Sequence, residues 1–459
     1  MSRERGGKDG GKRADARDAE VARAIDLHRG GRIADAWAIY ERVLRDDPDH
    51  VTAVHFGGLL AFQQSERELG LAMVERALEL DPDYVDARNN LGNMLKLQNR
   101  LSESEAQYRR VLESDPHRLE PMINLGVLAR GRRAYDESEA WYRRAIEHDP
   151  DNPLVWSNLS GLLDSQGRTA EALDALQVSI DKAAGDDLSQ EHLHVRRANI
   201  LFRLGRYDDA AQIYRRMLDG DPGNETARHM LAALSGDAVP ERAGEAYVRT
   251  LFDRFARSFD EVLDNLDYKA PALVGAVVAR HYDGAGLGLR VLDAGCGTGL
   301  CGRHLETLAT TLSGVDLSTG MLEQAKVTGC YDELIEAEIV TFLQDAGRWW
   351  DLIVSADTFC YFGALRPLLD AVGGALAPGG RLVFTVERED GAPERGYVLH
   401  PHGRYAHTRG AVIEELARAG LVPESVEDVT LRLERGEPVR GFLVSAKMIR
   451  RTGDIAPAG

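Results

Sequence analysis

The sequence is poor in cysteine, with four in 459 residues. These four, Cys296, Cys301, Cys330 and Cys360, include no pair with the C-x-x-C spacing of a zinc or redox site. Four scattered thiols also do not make the disulfide framework of a small secreted protein. We therefore expect neither a disulfide-stabilised fold nor a metal site.

Long apolar runs are missing as well. No run approaches the ~20 residues that a membrane helix needs, and the first residues lack the apolar stretch of a signal peptide. Residues 1–18 are instead rich in Gly, Arg, Lys and Asp, which is typical of a disordered leader. We expect a flexible tail over residues 451–459. The sequence thus predicts a cytoplasmic protein with no membrane partner.

Positive charge is in short supply, since 56 Lys and Arg face 74 Asp and Glu, for a formal net charge of -18. Acidic residues outnumber basic ones in both halves of the chain. Binding to nucleic acid depends on basic surfaces that neutralise phosphates, so the composition argues against a nucleic-acid partner. A chain of 459 residues is also too long for a single core, which predicts a multidomain protein.

The first half of the chain repeats itself at a constant interval. Asp-Pro pairs begin at residues 47, 81, 115 and 149, and small residues keep the same interval at Ala24, Gly58, Gly92, Gly126 and Ser160. The next small residue, Ala198, comes four positions later than this period predicts, which places a four-residue insertion in the loop around residues 183–189. A shared period in separate registers predicts a repeat architecture.

A third register holds larger side chains at Tyr40, Val74, Tyr108, Tyr142, Leu176 and Tyr214. Small residues let two helices approach closely, the larger residue packs across them, and proline suits the start of a helix. Each unit therefore reads as helix, turn, helix and resembles the tetratricopeptide repeat in both pattern and period. The resemblance predicts an α-solenoid of about six repeats over residues 19–235, with an extended concave face.

Asparagine recurs at one position of three successive first helices. Asn90, Asn124 and Asn158 are each one repeat period apart, so they form a row along one side of a solenoid. A carboxamide both donates and accepts hydrogen bonds, which suits it to holding a peptide backbone. The row resembles the asparagine ladder of the O-linked N-acetylglucosamine transferase repeats and implies a protein or peptide in the groove. The alternative is that asparagine at this position only caps a neighbouring helix.

A second domain follows a turn-rich linker at residues 236–246 and is predicted to span 247–450. Its short strand Arg290-Val291-Leu292-Asp293 leads directly into a turn with glycine at 295, 297 and 299. Such glycines let a backbone bend sharply beside a ligand, while the following helix points its N–H groups at it. Because glycines 297, 299 and 302 also satisfy G-x-G-x-x-G, a dinucleotide-binding enzyme is a competing interpretation.

Four later features favour another ligand. They are a strand that ends in Asp316, the Asp-Leu-Ser-x-x-Met-Leu segment from that residue, a strand followed by Asp357, and the turn before the strand Arg381 to Thr385. Together they resemble class I methyltransferases, in particular the ubiquinone and menaquinone branch. The segment Phe252 to Asp260 and the segment Tyr397 to His407 resemble bacterial repeat-fused methyltransferases and the Williams–Beuren-region methyltransferase-like proteins. The resemblance implies an α/β Rossmann-like domain.

The same resemblance implies S-adenosylmethionine as the cofactor. It places Asp293, Gly295 and Gly297 at the methionine end and Asp316 on the ribose hydroxyls. Met321 is expected to cover the adenine, and Glu338 replaces the usual aspartate that accepts from the adenine amine. The remaining residues expected to line the cofactor are Cys296, Leu317, Asp357 and Phe255.

Methyl transfer is an in-line displacement, so a general base is needed only if the acceptor atom carries a proton. The Asn-Pro-Pro-Tyr motif used on exocyclic amines is replaced by Ala356-Asp357-Thr358-Phe359, which disfavours nucleobase amines and glutamine amides. The residue types that can assist a proton transfer predict Tyr361, His402 and His407 as catalytic candidates, with Asp357 and His400 as further ones.

Three functions remain open at this point. The first is a methyltransferase whose repeats recruit a protein or peptide, as substrate or partner. The second is an O-, C- or N-methyltransferase of a small molecule, quinone-like or a natural product, with repeats that assemble a complex. The third is a cofactor-binding adaptor without catalysis.

Overall fold

A computed structural model describes residues 5–183, 191–256, 259–282, 287–345, 350–434 and 436–449. The chain divides into two compact units, residues 1–204 and residues 205–459. None of the helices within the described ranges is long and apolar enough to cross a membrane. The predicted tail at 451–459 and most of the predicted insertion at 183–189 lie outside these ranges.

The first unit consists of paired helices, as the period of the sequence predicts. Its first helix begins at Arg5, inside the segment predicted as a disordered leader, and the Arg17 guanidinium forms an ion pair with Asp47 at 2.7 Å. The helices are α1 (Arg5–Arg29), α2 (Ile33–Asp46), α3 (Val51–Gln63), α4 (Arg67–Leu80), α5 (Val85–Leu97), α6 (Leu101–Ser114), α7 (Leu119–Gly131), α8 (Tyr135–His148), α9 (Pro153–Ser165), α10 (Thr169–Lys182) and α11 (Glu191–Arg203).

The small residues of the repeat make room for the tyrosines. A methyl group added to Gly92 would lie 2.6 Å from Cε1 of Tyr108, and one added to Gly126 would lie 2.5 Å from Cε1 of Tyr142. Both tyrosines are fully buried. Protein interiors are too densely packed to absorb such an overlap without moving a helix. The register of small residues and the register of larger side chains in the sequence therefore correspond to the two residues that pack against each other.

We expect Gly126→Ala to destabilise the repeat unit and Gly131→Ala in the same helix not to do so. Alanine raises helix propensity at both positions by about 1 kcal/mol. At Gly126 the methyl group overlaps Tyr142, and overpacking costs about 1–3 kcal/mol, whereas the space around Gly131 is open for 4 Å. Thermal unfolding of the full chain, followed by circular dichroism, measures the difference. An equal midpoint for the two variants would contradict this account.

The second unit begins with two helices of repeat type and continues into an α/β domain. The helices are α12 (Tyr207–Gly220), α13 (Glu225–Ser235), α14 (Glu245–Phe255), α15 (Phe259–Asn265), α16 (Ala270–His281), α17 (Gly302–Leu305), α18 (Thr319–Thr328), α19 (Ile339–Asp345), α20 (Arg366–Ala375) and α21 (Arg409–Arg418). The strands are β1 (Leu289–Ala294), β2 (Ala309–Asp316), β3 (Glu333–Glu336), β4 (Trp350–Ser355), β5 (Leu376–Arg388), β6 (Tyr397–Leu399), β7 (Tyr405–His407), β8 (Leu421–Glu434) and β9 (Glu437–Met448).

These strands form one sheet in the order β3-β2-β1-β4-β5-β7-β6, with β9 beside β5 and β8 beside β9. Strands β3, β2, β1, β4 and β5 pair in parallel, while β9 is antiparallel to both β5 and β8. The order reverses at β1, with β2 on one side and β4 on the other. Ligands of open α/β sheets bind at such a switch point, outside the carboxyl ends of the strands.

Helix α13 packs on the sheet domain rather than serving only as the end of the repeats. The buried His229 imidazole forms a hydrogen bond through Nε2 to the Gly403 carbonyl at 2.8 Å, and its ring stacks on Tyr247 with 4.4 Å between centroids. The compact unit therefore starts at residue 205, well before the boundary at 235 that the loss of helical periodicity predicts.

The predicted linker at 236–246 is built into this domain. The backbone N–H of Ala243 donates to the carbonyl of Tyr361 at 2.8 Å, and the N–H groups of Gly363 and Ala364 both donate to the carbonyl of Glu241 at 2.8 Å. A segment fixed by three main-chain hydrogen bonds does not behave as a free connection. A turn-forming composition predicts that the backbone is irregular. It does not predict that the segment is mobile.

Candidate cofactor and active site

A cavity opens at the carboxyl ends of β1, β2 and β4 and encloses about 950 Å³, including the open space at its mouth. The predicted site residues that line it are Gly295, Cys296, Gly297, Asp316, Leu317, Glu338, Asp357 and Tyr361. Residues from distant parts of the sequence meet here because parallel strands end at the same edge of the sheet.

The turn after β1 has two glycines with left-handed backbone angles, φ 80° at Gly295 and φ 54° at Gly297. A methyl group on Gly295 would lie 2.2 Å from Oγ1 of Thr358, so only glycine fits there. At Gly297 the same position is open for 4 Å. The turn therefore packs tightly on one side and leaves its other side free for a ligand.

Asp316 joins the ends of two strands. One carboxylate oxygen accepts a hydrogen bond from the N–H of Gly297 and the other accepts from the N–H of Ser318, both at 2.9 Å. Burial raises the pKa of this carboxyl group, while the backbone N–H groups oppose that shift. Each carboxylate oxygen has a second lone pair. The side chain can thus accept from two hydroxyl groups of a ligand that lies in the cavity.

Asp293, the last acid of β1, is fully buried beside the turn. Its Oδ2 accepts a hydrogen bond from the hydroxyl group of Tyr331 at 2.7 Å, and its Oδ1 has no hydrogen-bond partner among the described residues. Burial raises the pKa of this carboxyl to about 7. A buried acceptor without a donor is costly, so the position favours a ligand that brings a cation or an N–H group.

Glu338 lines the cavity but is already held by the protein. Its Oε2 accepts from the N–H of Thr341 at 2.9 Å, at the start of α19, and its Oε1 forms an ion pair with Arg242 at 3.0 Å. The carboxylate can still accept a further hydrogen bond from the cavity side. Its predicted contact with the adenine amine stays a prediction.

Asp357 combines an unusual backbone with a buried ion pair. Its φ is 55°, its Oδ2 pairs with Nη1 of Arg432 at 2.5 Å, and its Oδ1 accepts from the Thr385 hydroxyl at 3.1 Å. Burial raises the pKa of this carboxyl group even though Arg432 acts in the opposite direction. An acid with a raised pKa at the cavity wall is positioned to accept a proton from a bound molecule.

Aromatic side chains form much of the remaining wall. Phe252 lies edge-on to Phe259, with 5.9 Å between ring centroids, and edge-on to Tyr361 at 5.5 Å. Tyr268 and Phe362 complete this part of the lining. A wall of this kind favours an acceptor with an apolar or aromatic body.

Three residues predicted to contact the cofactor, Asp293, Phe255 and Met321, do not line the cavity, and Asp293 lies buried beside it. Phe255 is the last residue of α14 and its side chain is 41% exposed, so Phe252, not Phe255, provides the aromatic contact from this helix. Met321 is fully buried in the first turn of α18. Helical spacing identifies an apolar face but does not decide which of its members borders a cavity.

Of the catalytic candidates, Tyr361 and Asp357 line the cavity and the three histidines do not. His407 is buried in β7, where its Nε2 bonds to the Gly363 carbonyl at 3.0 Å and burial lowers its pKa to about 4. His402 lies 3.6 Å from Glu387, and burial lowers its pKa to about 4 as well. His400 pairs with Glu389 at 3.4 Å. These three histidines lie outside the cavity lining, and a catalytic role for His402 and His407 stays a prediction.

Several residues of the cavity wall were not predicted from the sequence, namely Arg242, Glu245 and Val248. Arg242 lies in the segment that was predicted to be a linker. An isolated β-bridge with Phe362 places it at the cavity wall. Nothing local marks that long-range pairing. Val248 and Phe252 carry a usable signal, since apolar residues four apart share one face of a helix.

Comparison with known proteins identifies both parts of the chain. Tetratricopeptide repeat models match residues 57–118, 98–153, 123–187 and 191–234, and a methyltransferase domain model matches residues 292–382. The chain is a fusion of tetratricopeptide repeats and a class I methyltransferase domain. The match favours the methyltransferase over the dinucleotide-binding interpretation of the glycine-rich turn.

Relatives of the methyltransferase domain include O-methyltransferases. The malonyl-[acyl-carrier protein] O-methyltransferase of Salmonella typhimurium is 27% identical over 168 residues, which cover 37% of this chain and 64% of that protein. Human methyltransferase-like protein 27 is 38% identical over 97 residues, 21% of this chain and 38% of that protein. The ubiquinone biosynthesis O-methyltransferase of Idiomarina loihiensis is 26% identical over 182 residues, 37% of this chain and 74% of that protein. The chain thus spans less than two thirds of the length of the first two of these relatives.

We expect the affinity of the protein for S-adenosylmethionine to fall by about tenfold between pH 8 and pH 6. With a pKa of about 7, Asp293 takes up a proton as the pH falls from 8 to 6, and if the ammonium group of the methionine end binds at this residue as predicted, it needs the ionised carboxylate. Calorimetric titrations across this range measure the dependence. Asp293→Asn should bind more weakly with a nearly flat profile. A flat profile in the unaltered protein would exclude this role for Asp293.

Proposed function

We propose that this protein transfers the methyl group of S-adenosylmethionine to an oxygen atom of an acceptor with an apolar body. The observation that carries the proposal is the continuity of two features in one cavity. The turn at Gly295–Gly297, fastened by Asp316, is followed without interruption by the aromatic wall around Phe252 and Tyr361. The two relatives that methylate oxygen support the choice of acceptor atom.

The residues present fit the cofactor. Asp316 can accept from the two ribose hydroxyls, the unpartnered Oδ1 of Asp293 suits the methionine ammonium, and the open space beside Gly297 admits the nucleoside. When bound, the cofactor supplies a methyl group on a sulfonium. The protein contributes alignment, which can supply a large part of the acceleration of an in-line displacement, and a wall that excludes water.

Two side chains at the cavity wall can assist the reaction of a hydroxyl acceptor, one by accepting its proton and the other by donating a hydrogen bond. The Asp357 carboxylate can receive a proton from a hydroxyl acceptor, with Arg432 and Thr385 holding it in place. Burial raises the pKa of the Tyr361 phenol well above its ordinary value, so this residue stays protonated at neutral pH and acts as a hydrogen-bond donor. A carboxylate acceptor, by contrast, has no proton to lose and needs no base.

The repeats are proposed to bind a protein or peptide that is the substrate or a partner in its delivery. Asn90, Asn124 and Asn158 occupy half-buried positions on successive first helices, as their spacing predicts. Each Nδ2 already donates inside the protein, to His55 at 3.0 Å, to Asn93 at 3.2 Å and to the Leu154 carbonyl at 2.9 Å. Each carboxamide has a second donor hydrogen, so contact with a peptide is still possible.

We expect Asp316→Asn to weaken the binding of S-adenosylmethionine by about a hundredfold. The variant loses two charge-assisted hydrogen bonds, each worth about 1.5 kcal/mol or more, and about 1.4 kcal/mol corresponds to a factor of ten. Isothermal calorimetry on the full chain measures the change. Asp370→Asn is the matched control because its exposed carboxylate only pairs with Arg366 at 2.7 Å. Equal affinities for the two variants would refute this cofactor site.

The Asp357→Asn variant distinguishes the two kinds of oxygen acceptor. Asparagine tolerates the positive φ, so the backbone should be preserved. With a phenolic acceptor we expect kcat to fall by about 10²- to 10⁴-fold, because a general base is removed. With a carboxylate acceptor the rate should change by less than about tenfold, because no proton is transferred.

The measurement uses cofactor labelled in the methyl group, with a dihydroxybenzoate and a malonyl thioester as acceptors and a cell extract as a third source. Mild alkali releases the label from a methyl ester as methanol and leaves a methyl ether intact. The Asp370→Asn variant again serves as the control. If the protein binds the cofactor but transfers no label to any of the three, the adaptor function replaces the proposed enzyme.

A further inference from the structure

Three half-buried cations on the first helices of the repeats are connected through contacts at Asn124 and Gly161. They are Lys96 in α5, Arg130 in α7 and Arg196 in α11, and none forms an ion pair with a carboxylate in the part of the chain that the structure describes. Many exposed arginines of this unit do pair with carboxylates, as Arg143 does with Glu139 at 2.6 Å. We name these three residues the cationic face.

Two repeat registers supply these residues, and side-chain contacts bring the registers together. Arg130 follows Lys96 by one repeat period, and Arg196 continues the row of Asn124 and Asn158 after the insertion. Direct contacts connect the rows: Nζ of Lys96 donates to Oδ1 of Asn124 at 2.6 Å, and Nδ2 of Asn124 donates to Asn93 at 3.2 Å. Cations and carboxamides therefore alternate along a single surface.

Arg130 and Arg196 converge over Gly161 in the helix between them. A methyl group on Gly161 would lie 2.7 Å from Nη1 of Arg130 and 2.8 Å from Nη2 of Arg196, so both guanidinium groups rest on the bare backbone. Arg196 donates to the carbonyl of Ser157 at 3.1 Å. The Arg130 guanidinium makes no hydrogen bond or ion pair within the described residues. Two like charges are thus held together without an anion.

This arrangement is unfavourable in the free protein. Burial lowers the pKa of Lys96 and that of Arg196, which is the direction expected of cations that have lost water and whose hydrogen-bond partners are neutral. The acid nearest to Arg196, Asp164, is itself paired with Arg203. An anion placed between the cations would relieve both the desolvation and the mutual repulsion.

We propose that the cationic face binds an extended acidic segment of a partner protein, with carboxylates received by Lys96, Arg130 and Arg196. Packed helices lie about 8–10 Å apart, and an extended chain rises about 3.3 Å per residue. Arg130 and Arg196, which converge over Gly161, would therefore share one carboxylate, and an acidic residue three positions away would meet Lys96 on the neighbouring first helix, with the carboxamide of Asn124 available to the intervening backbone. The inference gives the chemistry of the partner assigned to the repeats and rests on that part of the proposed function.

A peptide fits this surface better than a nucleic acid. The three cations are interleaved with groups that both donate and accept, which complement peptide bonds rather than phosphates. The chain as a whole carries a net charge of -18, so a long phosphate polymer would be repelled from its remaining surface.

The test is fluorescence anisotropy with the full chain and a fluorescein-labelled 12-residue peptide that has glutamate at every third position. We expect the Lys96→Gln, Arg130→Gln, Arg196→Gln triple variant to bind at least about tenfold more weakly than the unaltered protein, since hydrogen bonds to charged groups are lost. Binding should also weaken as salt is raised from 50 to 300 mM. The same peptide with glutamine in place of glutamate should not bind measurably.

The matched control is Arg32→Gln, Arg100→Gln, Arg143→Gln, which removes the same charge from exposed arginines that pair with neighbouring carboxylates. It should bind within about twofold of the unaltered protein. Arg130→Gln alone is the second variant, because its side chain has no hydrogen bond among the described residues whose loss could unfold a repeat, and it should weaken binding by about fivefold or more.

Three results would overturn the proposal: no binding of the acidic peptide, equal weakening in both triple variants, or tighter binding of a labelled 12-nucleotide DNA strand. Calorimetry with S-adenosylmethionine on the same variants separates this inference from the enzyme. Unchanged cofactor affinity together with lost peptide binding confines the effect to the repeats. If the unaltered protein binds the peptide but not S-adenosylmethionine, the methyltransferase site is refuted and the inference about the repeats stands.

Discussion

The methyltransferase domain depends on the way Asp316 fastens the end of β2 to the turn that follows β1. Its two carboxylate oxygens accept from the N–H groups of Gly297 and Ser318, and the N–H of Gly295 and of Cys296 both donate to the carbonyl of Val315. Three of these hydrogen bonds fix the turn after β1, whose glycines have positive φ, and the fourth, from Ser318, holds the Asp316 carboxylate in place. Because glycine has many accessible conformations, these bonds are needed to keep the open side of the turn toward the cavity.

Much of this arrangement could be predicted from the sequence because its determinants are local. The repeat period fixes the helix pairs, since each small residue and its tyrosine lie within one repeat and pack together in the structure. Likewise, Asp293, Asp316 and Asp357 each stand at or just after the end of a strand, and parallel strands bring such ends together. Where a local sequence pattern corresponds to one geometry, as with these helix pairs and strand ends, the positions of its residues can be predicted from the sequence.

What could not be predicted depends on contacts between residues far apart in the sequence. His407 looks like a proton carrier until β7 pairs with β5 and places its imidazole against Gly363, away from the cavity. Arg242 looks like part of a linker until its bridge to Phe362 makes it cavity wall. In both cases the residue could be identified from the sequence but its surroundings could not, because burial and strand pairing depend on contacts across the whole domain.

The two units differ in the sign of their unpaired charges. This difference can explain how one acidic chain would bind both a cationic cofactor and an acidic peptide. Asp316 and Asp357 line the cofactor cavity and Asp293 lies buried beside it, and of these three carboxylates Asp357 is the one paired with an arginine in the described part of the chain. Such a site would favour the proposed cationic sulfonium and disfavour an acidic peptide. The cationic face would have the opposite preference. Because electrostatic complementarity also disfavours the wrong ligand, each unit would discriminate against the ligand proposed for the other.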